Sequence, residues 1–250
     1  MDRILVRDRE KSRRSSIRLY AIRGLAHAFG DSVAVRLVAN EVYRVETGGL
    51  FQASVPLGLY TSFSVSAPCG LRSVDGVIGL LDIPDTFLDP ARVKAGLLWF
   101  TGGFVEYRFP YRNGAPLAAL EFSMELGSDA PGTSPDWPSE ISVSVNEVEI
   151  GSWTLKSSGF RQVEPRDSWG RYGSDHGELT NWRVTRAGTF LDGVRISSVS
   201  LADLQLEPAQ PIRLRIGVAA NASHPGGVNI FGRGFGHHDQ EIVMRLSTVE

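Results

Sequence analysis

The stretch LEFSMELGSDAPGTSPDWPSEISVSVNEVEIGSWTL, residues 120–155, decides how the chain is read. Leu120, Phe122, Met124 and Leu126 alternate with Glu121, Ser123 and Glu125, which predicts a strand with one buried face and one face toward water. A loop of Gly, Ser, Asp and Pro follows, the residues that set tight backbone turns. It contains Asp136-Trp137-Pro138, and so large an aromatic is not needed for the turn itself. Alternation resumes through Ile141, Val143 and Val145, reverses at Asn146-Glu147 and returns through Val148 and Ile150 to Trp153. The reading is a hairpin fed by a long loop.

The same pattern extends outward. Thr61, Phe63 and Val65 alternate, as do Phe104–Phe109 (FVEYRF), with Gly or Pro in the gaps. Asp192-Gly193 between Phe190-Leu191 and Val194–Ile196 predicts a type I′ hairpin. Ile212, Leu214, Ile216 and Val218 alternate with Arg213, Arg215 and Gly217, and Ile242–Leu246 predicts a closing strand. Ser200–Leu206 reads as one capped helical turn, Pro84–Pro90 as a loop with at most one helical turn, and residues 25–45 fit either a short helix or a strand. About ten short strands with almost no helix predict an all-β fold, an antiparallel jelly-roll-like β-sandwich. The division expected is a basic wing-like hairpin and connector at residues 1–45 and a β-sandwich sensor domain at 46–250.

With 250 residues, 42% of them hydrophobic, the chain can bury a sizeable core. The formal charge of −2 hides an asymmetry: residues 1–23 hold eight Lys/Arg against three Asp/Glu, a net +5, leaving −7 for the rest. Two β-like runs, RILVRDRE and IRLYAI, flank the basic tip KSRRSS and predict a hairpin presenting Arg9, Lys11, Arg13, Arg14 and Arg18 to phosphates. An ordinary solvated terminus is the plainer alternative. No pair of amphipathic helices precedes the hairpin, so DNA binding should be weak and without sequence preference. The single cysteine, Cys69, excludes an intrachain disulfide and a multi-thiolate metal site, and is simplest as a small strand-end residue. No apolar run reaches the roughly 18 residues of a membrane span, and charges stand where a signal peptide is apolar. The cytoplasm is the expected compartment.

Four segments resemble the C-terminal domain of bacterial ArsR-type transcriptional regulators, which join a winged helix to a large β domain: FLDPARVKAGLLWF (87–100), residues 120–154, WRVTRAGTFLDGVRISSVSLADL (182–204) and IRLRIGVAANASHPGGVNIFGRGFGHHDQEIVMRL (212–246). The resemblance covers roughly residues 45–250. It implies a sensor or interaction domain of a transcription regulator, with residues 3–22 corresponding to the wing and with the preceding helices either truncated or lost to a start codon set too late.

Enzyme motifs are missing: there is no G-x-S-x-G elbow, no Walker phosphate loop and no H-E-x-x-H helix. The chain therefore reads as a non-enzyme, with a jelly-roll hydrolase as the outlying alternative. His237-His238-Asp239 with His224 has metal-ligand chemistry, but neighbouring strand residues point to opposite faces, so a polar loop is the better reading and no metal or cofactor is expected. Gly232–Gly236 (GRGFG) has no βαβ unit around it and reads as a tight bend. Arg233 could fork onto a polar ligand or pair with Asp136 or Asp239. Trp99, Trp153 and Trp182 read as core. The best candidate site is the loop-borne set Asp136, Trp137, Trp169, Tyr172, Arg233, Asp239 and Gln240, because sugars present flat apolar faces and rims of hydroxyls that suit an aromatic platform with polar neighbours. The expected partners are a small-molecule ligand of the carbohydrate or polyol kind, weakly bound DNA and a second copy of the chain, with no membrane. A carbohydrate-binding module without a regulatory role is the principal alternative.

Overall fold

The computed structural model describes residues 26–29, 32–35, 43–47, 50–111, 115–128, 138–155 and 177–249, the first three segments as backbone only. Sixteen strands lie in these residues: β1 Ala26–Phe29, β2 Ser32–Val35, β3 Tyr43–Thr47, β4 Leu50–Val55, β5 Ser62–Ser73, β6 Gly76–Ile78, β7 Leu97–Phe109, β8 Leu117–Gly127, β9 Ser139–Val145, β10 Val148–Leu155, β11 Glu178–Thr185, β12 Gly188–Leu191, β13 Val194–Ser197, β14 Ile212–Val218, β15 Val228–Phe231 and β16 Ile242–Thr248. The ambiguous stretch before residue 46 is strand where it is described.

The hairpins follow from local chemistry. Asn146 and Glu147 both take positive φ (49° and 72°) between β9 and β10, and Asp192 and Gly193 (48° and 84°) do so between β12 and β13. Positive φ at both central residues is what a type I′ turn requires to match the twist of its strands. Along β9 and in the first five residues of β14, buried and half-buried positions alternate, as the sequence period demands.

Pairing order carries the architecture. Every pair is antiparallel, and distant strands are interleaved: β14 lies between β7 and β9, and β16 between β4 and β8. One layer runs β5-β7-β14-β9-β10 and the other β3-β4-β16-β8-β11-β12-β13. Short β15 bonds to the first half of β7 and the last residues of β8, so the layers are continuous at that end. Elsewhere they diverge and pack face to face, as where the Phe109 and Phe122 rings meet edge-on at 5.4 Å between centroids. The Ser197 hydroxyl donates to the Ile150 carbonyl at 2.8 Å and ties β13 to β10. The result is an antiparallel jelly-roll-like β-sandwich.

Several local expectations are corrected. Residues 84–94 form two short 3-10 turns, Pro84–Leu88 and Pro90–Lys94, the second capped by the Asp89 side chain. Ser200–Leu206 is an irregular turn: Asp203 Oδ2 accepts from both the N–H and the hydroxyl of Ser200, which satisfies the turn without a helix. Cys69 lies inside β5, fully buried, with its thiol pushed up to about 11 by burial and by Asp82. Trp153, expected in the core, is half-buried within β10, where its side chain only flanks the core. Trp182 and Trp99 are fully buried, although Trp99 belongs to a separate cluster with Leu97 and Phe231 that Phe235 partly covers. Finally, the supposedly solvent-facing side of β8 is buried at Ser123 and Glu125.

Candidate functional site

The end of the sandwich at which β15 joins the layers holds the most unusual chemistry. Register places Gly70, Trp99, Asn229 and Gly127 in one row across β5, β7, β15 and β8, with Arg72, Leu97, Phe231 and Glu125 two residues along in the next row on the same face. The close packing needs glycine: a Cβ on Gly70 would stand 2.3 Å from the Trp99 ring.

Glu125 is 1% exposed, and its carboxylate accepts three main-chain donors. Gly177 N–H donates to Oε1 at 2.9 Å, His237 N–H donates to Oε1 at 2.9 Å, and His238 N–H donates to Oε2 at 2.9 Å. A buried charge is tolerable when its lone pairs are used in this way. The acceptor thus clamps two connections to one strand: the entry to β11 at Gly177 and the bend from Gly232 to Glu241. Gly236 makes the clamp possible. Its φ is +68°, and a Cβ there would lie 2.3 Å from Glu125 Oε1.

The other arm of the bend is fixed by Glu241. Its Oε2 accepts the Leu57 N–H at 3.2 Å, and the carboxylate also takes the main-chain N–H of Arg233. Burial pushes the Glu241 carboxyl above its ordinary value, while the Leu57 N–H and the Arg233 charge pull the other way. Because the folded value is raised, the contribution of Glu241 to stability is complete below its unfolded value and is lost as pH rises through the folded one. Relative to Glu241→Gln, the wild type should therefore lose stability as pH climbs from about 4 toward neutrality. Urea unfolding of both proteins at several pH values measures this. A constant difference would contradict the burial account.

Of the sequence-predicted residues, Arg233, Asp239 and Gln240 lie together in this bend. Arg233 is exposed, and its charge acts on the Glu241 carboxyl eight residues along the chain. Asp239 is exposed, while Gln240 Nε2 donates to the Ser123 hydroxyl at 3.2 Å and is drawn onto β8. His237 and His238 matter through their main-chain N–H groups, a role no residue-type argument could find. Among the described residues, no group of three His, Cys, Asp or Glu side chains is placed to hold a metal ion. Asp136, Trp137, Trp169 and Tyr172 lie outside the described residues, as do Arg9, Lys11, Arg13, Arg14 and Arg18.

A second concave feature was not legible in the sequence. A groove of about 270 Å³ is lined by Tyr60, Thr61, Ser62, Phe63, Leu88 and Arg92. Arg92 Nη1 donates to the Tyr60 carbonyl at 2.9 Å, and its guanidinium lies 4.4 Å from the centre of the Tyr60 ring. Burial pushes the Tyr60 phenol up to about 12, outweighing Arg92, so this hydroxyl stays protonated and donates to the Phe87 carbonyl. Only the alternation around Phe63 was visible beforehand.

Fold and site together define an antiparallel β-sandwich with a clamped polar bend at one end. No protein-family model matches the chain, and no curated protein matches it. Among solved structures the chain is similar to a carbohydrate-binding module, described as CBM36 in complex with calcium and xylotriose. The likeness has a TM-score of 0.33 and 9% identity, covering 78% of this chain and 98% of the other. At that level it assigns neither ligand nor ancestry, and the sandwich rests on its own strand pairing.

Proposed function

We propose that this chain is the ligand-sensing domain of an ArsR-type transcriptional regulator, and that its ligand is a carbohydrate or related polyol taken up beside the Gly232–Glu241 bend. The observation that carries this reading is the double clamp. Glu125 and Glu241 hold the two arms of the bend, so the exposed Arg233, His238 and Asp239 side chains stand on a frame whose ordering cost is met by folding. A rim of hydrogen-bonding groups on a rigid base suits a neutral polyhydroxylated ligand. Trp137, Trp169 and Tyr172 would supply the stacking platform and Asp136 a hydrogen-bonding carboxylate, and the basic residues Arg9, Lys11, Arg13, Arg14 and Arg18 would face DNA phosphates. The regulator half of the proposal is supported by the sequence resemblance.

A hydrolase is disfavoured by the same geometry. Glycoside hydrolysis needs two carboxyl groups facing the scissile bond, whereas Glu125 and Glu241 both spend their oxygens on main-chain N–H groups. A carbohydrate-binding module without a regulatory role would use the same rim.

Calorimetric titration of the chain with a panel of neutral mono- and oligosaccharides is the test. At least one should give saturable binding, weakened about tenfold by Arg233→Ala, the worth of one charge-assisted hydrogen bond. Absence of binding across the panel would defeat the reading. So would binding that survives Arg233→Ala but is lost on Phe63→Ala, since the ligand would then occupy the Tyr60–Arg92 groove.

A further inference from the structure

The groove between Tyr60 and Arg92 shares no lining residue with the Gly232–Glu241 bend, and its floor is built from rings. Tyr60 meets Phe63 at 5.6 Å and Tyr107 at 6.4 Å between centroids, both edge-on. Phe87 lies 5.7 Å from Tyr60 and 5.5 Å from Phe63. Both phenol groups are used inward, Tyr60 on the Phe87 carbonyl and Tyr107 on the Leu57 carbonyl at 2.9 Å. The floor therefore offers carbon rather than hydroxyl, and the half-buried Phe63 and the exposed Leu88 add apolar surface. Thr61 and Ser62, both exposed, bring the hydroxyls of the rim.

One cation stands over this floor, and no anion is paired with it. Arg92 is held at both ends: Nη1 donates to the Tyr60 carbonyl at 2.9 Å with the guanidinium over the Tyr60 ring, while a Cβ on Gly58 would overlap the Arg92 carbonyl. Among the described residues no carboxylate forms an ion pair with it. Two acids are near. Asp89 Oδ1 accepts the Ala91 N–H at 2.7 Å, although its charge is felt at Tyr60, and Glu106, opposite Ser62 in register, is paired with Arg215 at 2.9 Å. A guanidinium carries five N–H donors, of which the Tyr60 carbonyl takes one, so donors remain for a planar anion.

Size and charge narrow the ligand. A volume of about 270 Å³ is at the small end of ligand clefts, room for one ring and its substituent. A phosphate dianion would meet a single cation with Asp89 beside it, whereas one carboxylate matches one guanidinium. We infer that this groove binds a small aromatic carboxylate, its ring against Phe63 and Leu88 and its carboxylate forked onto Arg92. The site does not rest on the sugar reading, and either can fail without the other.

Amide chemical-shift titration of the isotope-labelled full chain with benzoate, phenylacetate and indoleacetate, each beside its neutral amide, tests this. At least one acid should shift the Thr61, Ser62, Phe63 and Arg92 amides saturably, and its amide should bind about tenfold more weakly, the worth of a charge-assisted contact. Arg92→Gln should weaken the acid by about the same factor. Asp89→Asn keeps the capping oxygen and removes a like charge, so it should tighten binding about twofold. Arg233→Ala should leave it unchanged. No saturable shift with any of the acids, equal binding of acid and amide, binding unaffected by Arg92→Gln, or shifts confined to His237 and His238 would each overturn the inference. Should Arg92→Gln fail to fold, the acid–amide comparison and Asp89→Asn still decide it.

Discussion

Trp182→Ala should destabilise the chain by about 3–5 kcal/mol, the range for emptying a large aromatic site in a core. Trp182 on β11 is completely buried, and its neighbours come from both layers, with Gly151 of β10 close to the ring. The loss is not confined to packing. The indole N–H donates to the Thr180 hydroxyl at 3.0 Å, which in turn donates to the Met124 carbonyl at 2.9 Å, so truncation also strips a buried hydroxyl of its donor. Trp153→Ala is the internal comparison. Half-buried at the margin of the core, it should cost about 1–2 kcal/mol. Urea unfolding of the two variants, with equal slopes, reads the difference. Comparable losses would mean that β10 packs over Trp153 as closely as the sandwich packs over Trp182.

Glu125→Ala should cost about 3–4 kcal/mol, because removing a buried acceptor leaves donors stranded at about 1–3 kcal/mol each, offset where a loosened bend reaches water. Gly177, His237 and His238 all lose the oxygen that receives their N–H. Glu125→Gln is the more informative change. Its single amide oxygen can serve one arm, while the NH₂ group faces donors on the other, so the loss should be intermediate. Amide hydrogen exchange separates the local effect from the global one: His237 and His238 should lose protection in Glu125→Gln while Ile216 in β14 keeps it. Uniform loss of protection would place Glu125 in the global fold rather than in the clamp. If the sugar reading holds, the same variant should also weaken binding, since the rim that carries Arg233 would no longer be held.

How much of this was present in the sequence can be judged element by element. The alternation along Ile141–Val145 and Ile212–Val218 and the turn residues Asn146-Glu147 and Asp192-Gly193 fix strands and hairpins through forces acting within a few residues: side chains alternate across a pleat, and few residues accept positive φ. Those elements are found where they were expected. Trp153 was misjudged because local pattern gives a face but not what covers it. The loop residues Asp136, Trp137, Trp169 and Tyr172 remain sequence proposals.

The sequence by itself determined the fold class, the hairpins, the bend at Gly232–Gly236 and the charge asymmetry between residues 1–23 and the remainder. Tertiary structure alone decided the rest. Period-two alternation puts Glu121, Ser123 and Glu125 on one face and declares it solvent-exposed, and that is where the rule fails. β15 pairs with the last residues of β8, and the bend that follows it lies across that face, burying Glu125 among main-chain donors separated from it by 52 to 113 residues. A carboxylate's partners at such separations are set by strand order. Strand order follows from how the two layers close over their shared core, which no window of the sequence contains.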